Sequence, residues 1–180
     1  MADKTIIVLV GPSGSGETSI GEVLSKNHIP RLVTTTTRQP RAGEKNGLDY
    51  YFRDFSEVEL DDFVEQTIYN GNRYGLTKAE VLSMLEKHDT VHVSLDQSGA
   101  KAVKEAFPEE TFVVFVQIDE AQMIERMKQR GDSIEEIRAR VHFSRETNEL
   151  QAPAYADVIV ENKNINEAAL KIMNRVKNRN

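Results

Sequence analysis

The sequence predicts a three-layer α/β fold, in which helices cover both faces of a central parallel sheet. Apolar, β-branched segments alternate with helical segments along the whole chain, and strands joined by helices pair in parallel. In addition, the first strand runs into a glycine-rich loop that is followed directly by a helix. This strand–loop–helix layout is typical of a P-loop, which binds phosphate groups. The predicted fold class is therefore a P-loop α/β/α protein.

Composition limits the classes of function. The 180 residues, 39% of them apolar, fit one globular domain. A net charge of −6 argues against a general nucleic-acid or membrane-surface binder, which would need a basic face. The chain has no cysteine, which suits a reducing compartment. The apolar run at 5–10 is too short for a signal sequence or a membrane span, so we expect a cytoplasmic protein.

In the first half of the chain, β-branched residues predict a buried strand at 5–10, and apolar residues at helical spacing predict a helix at 18–26. A short strand is expected at 32–35. Residues 36–51 are polar, basic and interrupted by glycine, with little helical period. Residues 55–65 are acidic, with apolar residues near helical spacing, and therefore favour a helix.

The second half begins with a hairpin at 67–75 that turns at Asn70-Gly71. Strands and helices then alternate, and the run at 111–118 is the most continuous apolar segment, as expected of a central strand. The remaining helices are predicted at 78–87, 98–107, 120–129, 135–149 and 165–176, and the remaining strands at 90–95, 111–118 and 157–160.

The loop at 11–19 matches the P-loop pattern G-x-x-x-x-G-K-[ST] at every fixed position except one. Glycines let backbone N–H groups converge on phosphate oxygens, and the following helix points its positive end at them. The Thr18 hydroxyl occupies the position of a Mg²⁺ ligand, but Glu17 occupies the lysine position. A glycine-rich turn that binds nothing is the alternative. The candidate phosphate-binding residues are Gly11, Ser13, Gly14, Ser15, Gly16, Glu17, Thr18 and Ser19.

A second informative segment contains Arg38 and Arg41, which flank Pro40 and follow a run of threonines. Two arginines held in this way form a fork suited to a phosphate or a carboxylate, although a solvated basic loop is the simpler alternative. The segment 34–52 closely resembles the GMP-binding segment of guanylate kinases, and 11–16 resembles their P-loop. The resemblance continues, in the family's order, through Glu65, 71–75, Asp96 with Gly99, Arg126, Arg130-Gly131, Arg140 and 158–162.

This resemblance implies phosphoryl transfer from ATP to GMP, giving ADP and GDP, with Mg²⁺ as cofactor and no nucleic-acid or membrane partner. It also implies one domain over 1–180. In that domain a core of 1–33 and 77–180 would carry a small mixed GMP-binding subdomain at about 34–76 and a short lid at about 126–140. The P-loop residues would then bind ATP.

The resemblance further implies roles for single residues. Arg38, Arg41, Tyr50 and Tyr74 would hold the GMP phosphate, whereas Glu65, Asp96 and the Thr34 hydroxyl would bind the guanine N1 and amino edge. Carboxylates suit that edge because it presents N–H donors. The expected catalytic residues, which neutralise charge on the transferred phosphoryl group, are Arg38, Arg126, Arg130 and Arg140.

Three positions depart from the family pattern. Glu17 replaces a lysine that bridges the ATP phosphates, and Ser94 replaces an acid associated with the metal site. Leu76 replaces a hydroxyl residue that contacts guanine O6, for which Thr77 is a candidate substitute. At about 4 Å, losing the lysine and adding a carboxylate each change the energy by roughly 4 kcal/mol at a dielectric of about 20. A loss of that size slows a reaction roughly a thousandfold.

Two functions therefore stand at the level of sequence. The first is a guanylate-kinase-like enzyme whose ATP side is impaired by Glu17. The second is a catalytically inactive binding module that keeps the GMP pocket for GMP or for a phosphopeptide.

Overall fold

The computed structural model describes residues 3–12 and 14–179 and contains two four-stranded sheets. In chain order the elements are β1 (Thr5–Val10), α1 (Glu17–Lys26), β2 (Thr35–Thr36), β3 (Tyr51–Phe52), β4 (Phe63–Tyr69), β5 (Asn72–Thr77), α2 (Lys78–Lys87), β6 (Thr90–Ser94), α3 (Gln97–Ala106), β7 (Thr111–Gln117), α4 (Glu120–Arg130), α5 (Ile134–Thr147), β8 (Val158–Glu161) and α6 (Ile165–Lys177).

The main sheet has the strand order β6-β1-β7-β8, and all of its strand pairs are parallel. Every residue of β1 is buried, and alternate side chains enter two separate clusters. Ile6 and Val8 pack with residues of α2 and α3 on one face, whereas Ile7 and Leu9 pack with residues of α1 and α6 on the other. The predicted three-layer arrangement, with 111–118 contributing an interior strand, is confirmed.

The second sheet is small and mixed, with the order β3-β2-β5-β4. Its β4–β5 hairpin turns at Asn70-Gly71, as predicted, with φ values of 48° and 75°. Positive φ at both residues gives the turn a twist that matches its strands. The loop that joins β2 to β3 contains the arginine fork.

Two predicted elements differ from the structure. The helix expected at 55–65 is absent: the structure has single 3₁₀ turns at Phe55–Glu57 and Leu60–Asp62, and then β4. Each turn is closed by a capping box in which acidic side chains bond back to the backbone, and the following residue is extended. The strand expected at 32–35 lies instead at Thr35–Thr36, because this pair of residues faces β5.

Helices α4 and α5 form a hairpin at one end of the main sheet. Gly131 ends α4 at a φ of 92°, and Ser133 begins α5 with a capping box to Glu136. The hairpin has a small apolar cluster of its own, made by Ile118, Met123, Met127 and Ile137.

None of the helices within 3–12 and 14–179 is long and apolar enough to cross a membrane.

Candidate nucleotide-binding site

The glycine loop follows β1 at the carboxyl end of the main sheet, where parallel sheets bind ligands. A Cβ on Gly11 would lie 2.5 Å from Ser15 Oγ and 2.8 Å from the Val116 carbonyl oxygen. Gly16, the N-cap of α1, has a φ of 86°, and a Cβ there would lie 2.2 Å from Asn162 Nδ2. Both positions therefore require glycine.

The loop backbone is held by two side chains from outside it. Asn162 Nδ2 donates to the Ser15 carbonyl at 2.7 Å. Arg126, on α4, donates to the Gly14 carbonyl and, at 2.8 Å, to the Asn162 carbonyl. Arg126 is thus tied to the loop itself. Ser13, predicted as a phosphate ligand, lies outside the described residues.

Glu17 is the first residue of α1, and its carboxyl faces a cavity of about 660 Å³ that Asp96 and Arg140 also line. Its Oε2 atom is buried and has no hydrogen-bond partner among the described residues. Burial, and secondarily the charge of Asp96, raise the pKa of Glu17 to about 8. The carboxyl is therefore mostly protonated at neutral pH, so the repulsion that the sequence predicted for an ionised carboxylate is largely removed.

Arg140, on α5, lines the same cavity and is held there by Glu149, with an Nη2–Oε2 distance of 2.8 Å. Its guanidinium also lies 4.9 Å from the ring centroid of Phe143. Arg130 lies further out, 57% exposed, and pairs with Asp132. Of the three predicted α4–α5 arginines, the structure therefore ties Arg126 to the glycine loop, places Arg140 in the cavity beside it and leaves Arg130 at the surface.

The predicted phosphate fork lies in the loop between β2 and β3 of the small sheet. The Arg38 guanidinium is 5.4 Å from the Tyr50 ring centroid, and the Tyr50 and Tyr74 centroids are 6.0 Å apart. Glu44 already occupies this fork: it accepts from Arg38 at 2.8 and 2.9 Å and from the Arg41 backbone at 2.7 Å. The hydrogen bonds from Arg38 lower the pKa of Glu44 to about 2. The fork thus binds a carboxylate of its own chain.

Two carboxylates, Glu65 on β4 and Asp96 at the start of α3, converge at Gly99. A Cβ on Gly99 would lie 3.1 Å from Glu65 Oε2 and 3.2 Å from Asp96 Oδ1. Asp96 also accepts from the Gly99 backbone at 2.7 Å, and Glu65 accepts from the Leu76 backbone at 3.0 Å. Burial, and then the charge of Asp96, raise the pKa of Glu65 to about 7. The pair can accept hydrogen bonds from a ligand.

The other two predicted base contacts, Thr34 and Thr77, are each bonded to a neighbouring element. The Thr34 carbonyl accepts from the Tyr51 backbone at 2.9 Å, which fixes Thr34 beside β3. The Thr77 hydroxyl caps α2, accepting from the Glu80 backbone at 3.2 Å. Thr77 lines another cavity, together with Tyr51 and Glu80. The structure therefore does not place Thr77 with the Glu65–Asp96 pair.

Three further polar residues at the site were not among the predicted site residues: Glu44, Glu149 and Asn162. The spacing of Glu44, three residues after Arg41, is a signal that could have indicated it. Glu149 reaches Arg140 only because the chain reverses at Asn148, which has a φ of 52°, and local sequence does not indicate this reversal.

The protein oxygens available near the glycine loop suit a Mg²⁺ ion that binds together with a nucleotide. Within the described ranges, no group of three or more His, Cys, Asp or Glu side chains could hold a metal. Mg²⁺ at phosphate sites commonly takes only one or two protein oxygens, with phosphate and water as the remaining ligands. The hydroxyl of Thr18, on the first turn of α1, is exposed and can serve as such a ligand.

Comparison with known proteins gives a consistent result. The family model described as "Guanylate kinase" matches residues 3–179. A guanylate kinase from Prochlorococcus marinus (strain MIT 9312) is 35% identical, over 94% of this chain and 95% of the relative. Another, from Fusobacterium nucleatum subsp. nucleatum, is 31% identical, over 99% of this chain and 98% of the relative.

The structural comparison agrees. The crystal structure of guanylate kinase from Anaplasma phagocytophilum superposes with a TM-score of 0.72 at 25% identity, covering 99% of this chain and 87% of that one. A gluconokinase from Sinorhizobium meliloti 1021, with a TM-score of 0.52 and 18% identity, shares the fold only. The sequence and structural matches both span nearly the whole chain, and this protein belongs to the guanylate kinase family.

Proposed function

We propose that this protein is a guanylate kinase, which transfers the γ-phosphoryl group of ATP to GMP and releases ADP and GDP. The observation that carries the proposal is the joint presence of an arginine–tyrosine fork at Arg38 and a carboxylate pair at Glu65 and Asp96. The first suits a phosphate and the second suits a base edge with N–H donors. Together they match the two ends of GMP.

At the phosphate end, the GMP phosphate takes the place of the Glu44 carboxylate on Arg38. The bidentate geometry of that ion pair supports the exchange, because carboxylate and phosphate present similar oxygens to a guanidinium. Arg41, Tyr50 and Tyr74 complete the contacts. At the base end, Glu65 and Asp96 accept from N1–H and the amino group, with the Thr34 hydroxyl beside them.

On the ATP side, the backbone of the loop at 11–19 cradles the phosphates, and Arg126 keeps the loop in position. Thr18 would hold Mg²⁺, which neutralises phosphate charge when it is bound. Arg140, already in the cavity next to Glu17, supplies positive charge to the transferred phosphoryl group. Arg130 would join it from the α4–α5 hairpin, which we propose is a lid at about 126–140.

The domain organisation follows from these roles. We assign a GMP-binding subdomain at about 34–76 and a core of 1–33 and 77–180. The subdomain has its own sheet, which supports movement relative to the core when GMP binds.

The direct test is a coupled assay of ADP release with ATP, Mg²⁺ and GMP. We expect release that depends on GMP and saturates with it. Turnover should be slow, because a protonated Glu17 removes the repulsion but leaves the lysine charge missing. A rate equal to that of the buffer blank at high protein concentration would exclude the activity.

A second candidate is a binding module that keeps the pocket for GMP or a phosphopeptide but does not transfer phosphate. The combination of Glu17 in the glycine loop with an intact Arg38 fork elsewhere in the chain favours it. Calorimetry distinguishes the two, since the module would bind GMP without measurable binding of Mg²⁺–ATP.

A further inference from the structure

The buried carboxylate of Glu80 joins the core to the small sheet. Glu80 is on α2, and only 7% of it is exposed. Its Oε1 atom accepts from the Val33 backbone at 3.0 Å, and its Oε2 atom accepts from the Tyr51 hydroxyl at 3.0 Å. Val33 lies just before β2 and Tyr51 begins β3, so one side chain of the core holds the starts of two strands of the small sheet.

Glu80 makes these bonds in place of a local one. The spacing Thr77-x-x-Glu80 is that of a capping box, in which the glutamate carboxylate bonds back to the backbone N–H of the capping residue. Thr77 makes its half of the box, because its hydroxyl accepts from the Glu80 backbone at 3.2 Å. The Glu80 carboxylate is bonded outside the helix instead, and a buried carboxylate is costly unless its oxygens are well paired. Val33 and Tyr51 are therefore the partners that satisfy it.

The Tyr51–Glu80 bond lies where the small sheet and α2 are not closely packed. A cavity of about 730 Å³ opens between them, lined by Thr35 and Tyr51 on one side and by Ala79 and Leu82 on the other. Burial, and then the hydrogen bond to Glu80, raise the pKa of Tyr51, so its hydroxyl remains a donor at neutral pH. Since apolar packing is incomplete here, the polar contact governs the distance between the two elements.

Arg31 makes a further contact between the core and the loop at 36–51, donating to the Leu48 carbonyl at 2.5 Å. That bond is exposed, so water competes for both of its partners, whereas Glu80 is buried. Of these two contacts, Glu80 is therefore the one that holds the small sheet more firmly.

Both residues held by this carboxylate are neighbours of predicted GMP contacts. Val33 precedes Thr34, whose carbonyl also accepts from the Tyr51 backbone at 2.9 Å. Tyr51 follows Tyr50, whose ring centroid lies 5.4 Å from the Arg38 guanidinium. A shift of either neighbour therefore moves a GMP contact with it, and a misplacement of about 1 Å is enough to weaken a site strongly.

We infer that Glu80 is a positioning residue for GMP binding, which acts through Val33 and Tyr51 and does not touch the nucleotide. It fixes the GMP contacts of the small sheet relative to the core that carries the glycine loop. The chain passes between the core and the proposed subdomain at 33–34 and 76–77, and Glu80 lies beside the second connection and bonds to the first. The inference rests on the proposed function and adds a residue to it.

Kinetics of Glu80→Ala, with each substrate varied in turn, test the inference. We expect the KM for GMP to rise about tenfold, because both bonds are lost, whereas kcat and the KM for ATP stay within about threefold. Glu86→Ala, which changes an exposed glutamate of the same helix, is the matched control and should leave all three values unchanged. A KM for GMP equal to that of wild type, or equal rises in the KM for GMP and for ATP, would overturn the inference.

Two conservative variants separate positioning from a general loss of stability. Glu80→Gln keeps an acceptor for Val33 and gains an amide that can donate to the Tyr51 oxygen, so its KM for GMP should return to within about threefold of wild type. Tyr51→Phe removes only the hydroxyl and should raise the KM for GMP by about three- to fivefold.

The effects of Tyr51→Phe and Glu80→Ala should not add, because both variants remove the same bond. The double variant is therefore expected to have the KM for GMP of Glu80→Ala, and fully additive effects would contradict the coupling. If Glu80→Ala does not fold, an unchanged KM for GMP in Tyr51→Phe overturns the inference by itself.

Isothermal calorimetry with GMP distinguishes failure of the inference from failure of the proposed function, because it measures binding without turnover. We expect Glu80→Ala to raise the Kd for GMP about tenfold. If the wild-type protein shows no saturable binding of GMP, the proposed function fails and the inference falls with it. If wild type binds GMP and folded Glu80→Ala binds it equally well, the function stands and the inference alone is removed.

Discussion

Two opposing effects act on the ionisation of the Glu17 carboxyl. An ionised carboxyl in the first turn of a helix is normally favoured by the helix dipole. Here the carboxyl is buried in a cavity that also contains Asp96, and its pKa rises to about 8. Desolvation therefore outweighs the dipole, and the glycine loop carries a largely neutral side chain at pH 7.

This protonation predicts how stability depends on pH. The pKa of Glu17 is about 8 in the folded protein against 4.5 ordinarily, so between these values the folded state binds more protons than the unfolded state. The contribution of Glu17 to the free energy of unfolding is fully present below about pH 4.5 and is lost as the pH rises towards 8. Glu17→Gln should be more stable than wild type by about 3–5 kcal/mol near pH 8, and by less than about 1 kcal/mol near pH 5.

Urea unfolding at several pH values measures this difference. Glu22→Gln, an exposed glutamate in the same helix, is the matched control and should leave the profile unchanged. Parallel stability curves for wild type and Glu17→Gln would show that Glu17 does not titrate as the structure indicates.

Gly99 gives a second prediction at the residue scale. An added Cβ would come within 3.1 Å of Glu65 and 3.2 Å of Asp96, so Gly99→Ala should push the two carboxylates apart. Alanine is favoured over glycine in a helix by about 1 kcal/mol, which offsets part of the strain. We expect the KM for GMP to rise about tenfold while the KM for ATP is unchanged.

Steady-state kinetics with each substrate varied in turn provides the measurement. Glu105→Ala, an exposed change elsewhere in the same helix, is the control. An unchanged KM for GMP in Gly99→Ala would argue against base binding by the Glu65–Asp96 pair.

At the scale of elements, α4 is fastened to the glycine loop by Arg126. One guanidinium bonds to the carbonyls of Gly14 and Asn162, which fixes α4, the loop and the end of β8 relative to one another. A planar fork can make both bonds at once, whereas a lysine ammonium cannot reproduce that geometry. Arg126 therefore positions the glycine loop, which we propose binds ATP, through hydrogen bonds to the backbone.

Arg126→Lys tests this positioning, because it keeps the charge and loses the fork. We expect the KM for ATP to rise about tenfold or more, with the KM for GMP within about threefold. Lys128→Ala, on the exposed side of α4, should have no effect. If Arg126→Lys binds ATP as wild type does, the loop does not depend on this fork.

Sequence was sufficient for the elements that local patterns determine. The buried β1 strand and the Asn70-Gly71 hairpin are confirmed, since β-branched runs and positive-φ turn residues act locally. The helix predicted at 55–65 is wrong because its acidic residues bond to the backbone of single turns instead of continuing a helix. The partner of Arg140 could not be predicted, because Glu149 reaches it through a chain reversal at Asn148, whereas the spacing of Glu44 after Arg41 was a local signal.

At the scale of the whole molecule, two of the arginines that we propose bind phosphate are paired with the protein's own acids. Arg38 pairs with Glu44, and Arg140 pairs with Glu149. These pairs keep each guanidinium in place in a chain of net charge −6, and on the proposed function a phosphate competes with the carboxylate for each guanidinium. Which arginines lie near one another could be inferred from the family resemblance, but their partners depend on tertiary structure.

The central claim is that the chain is a guanylate kinase whose GMP side is complete and whose ATP side is limited by Glu17. Kinetics of Glu17→Lys, with both substrates varied, test it most directly. A cation near the phosphates should return about 3–4 kcal/mol of transition-state stabilisation. We predict that kcat/KM for ATP rises at least about a hundredfold while the KM for GMP stays within about threefold. An unchanged kcat/KM for ATP in a folded Glu17→Lys protein would contradict the claim.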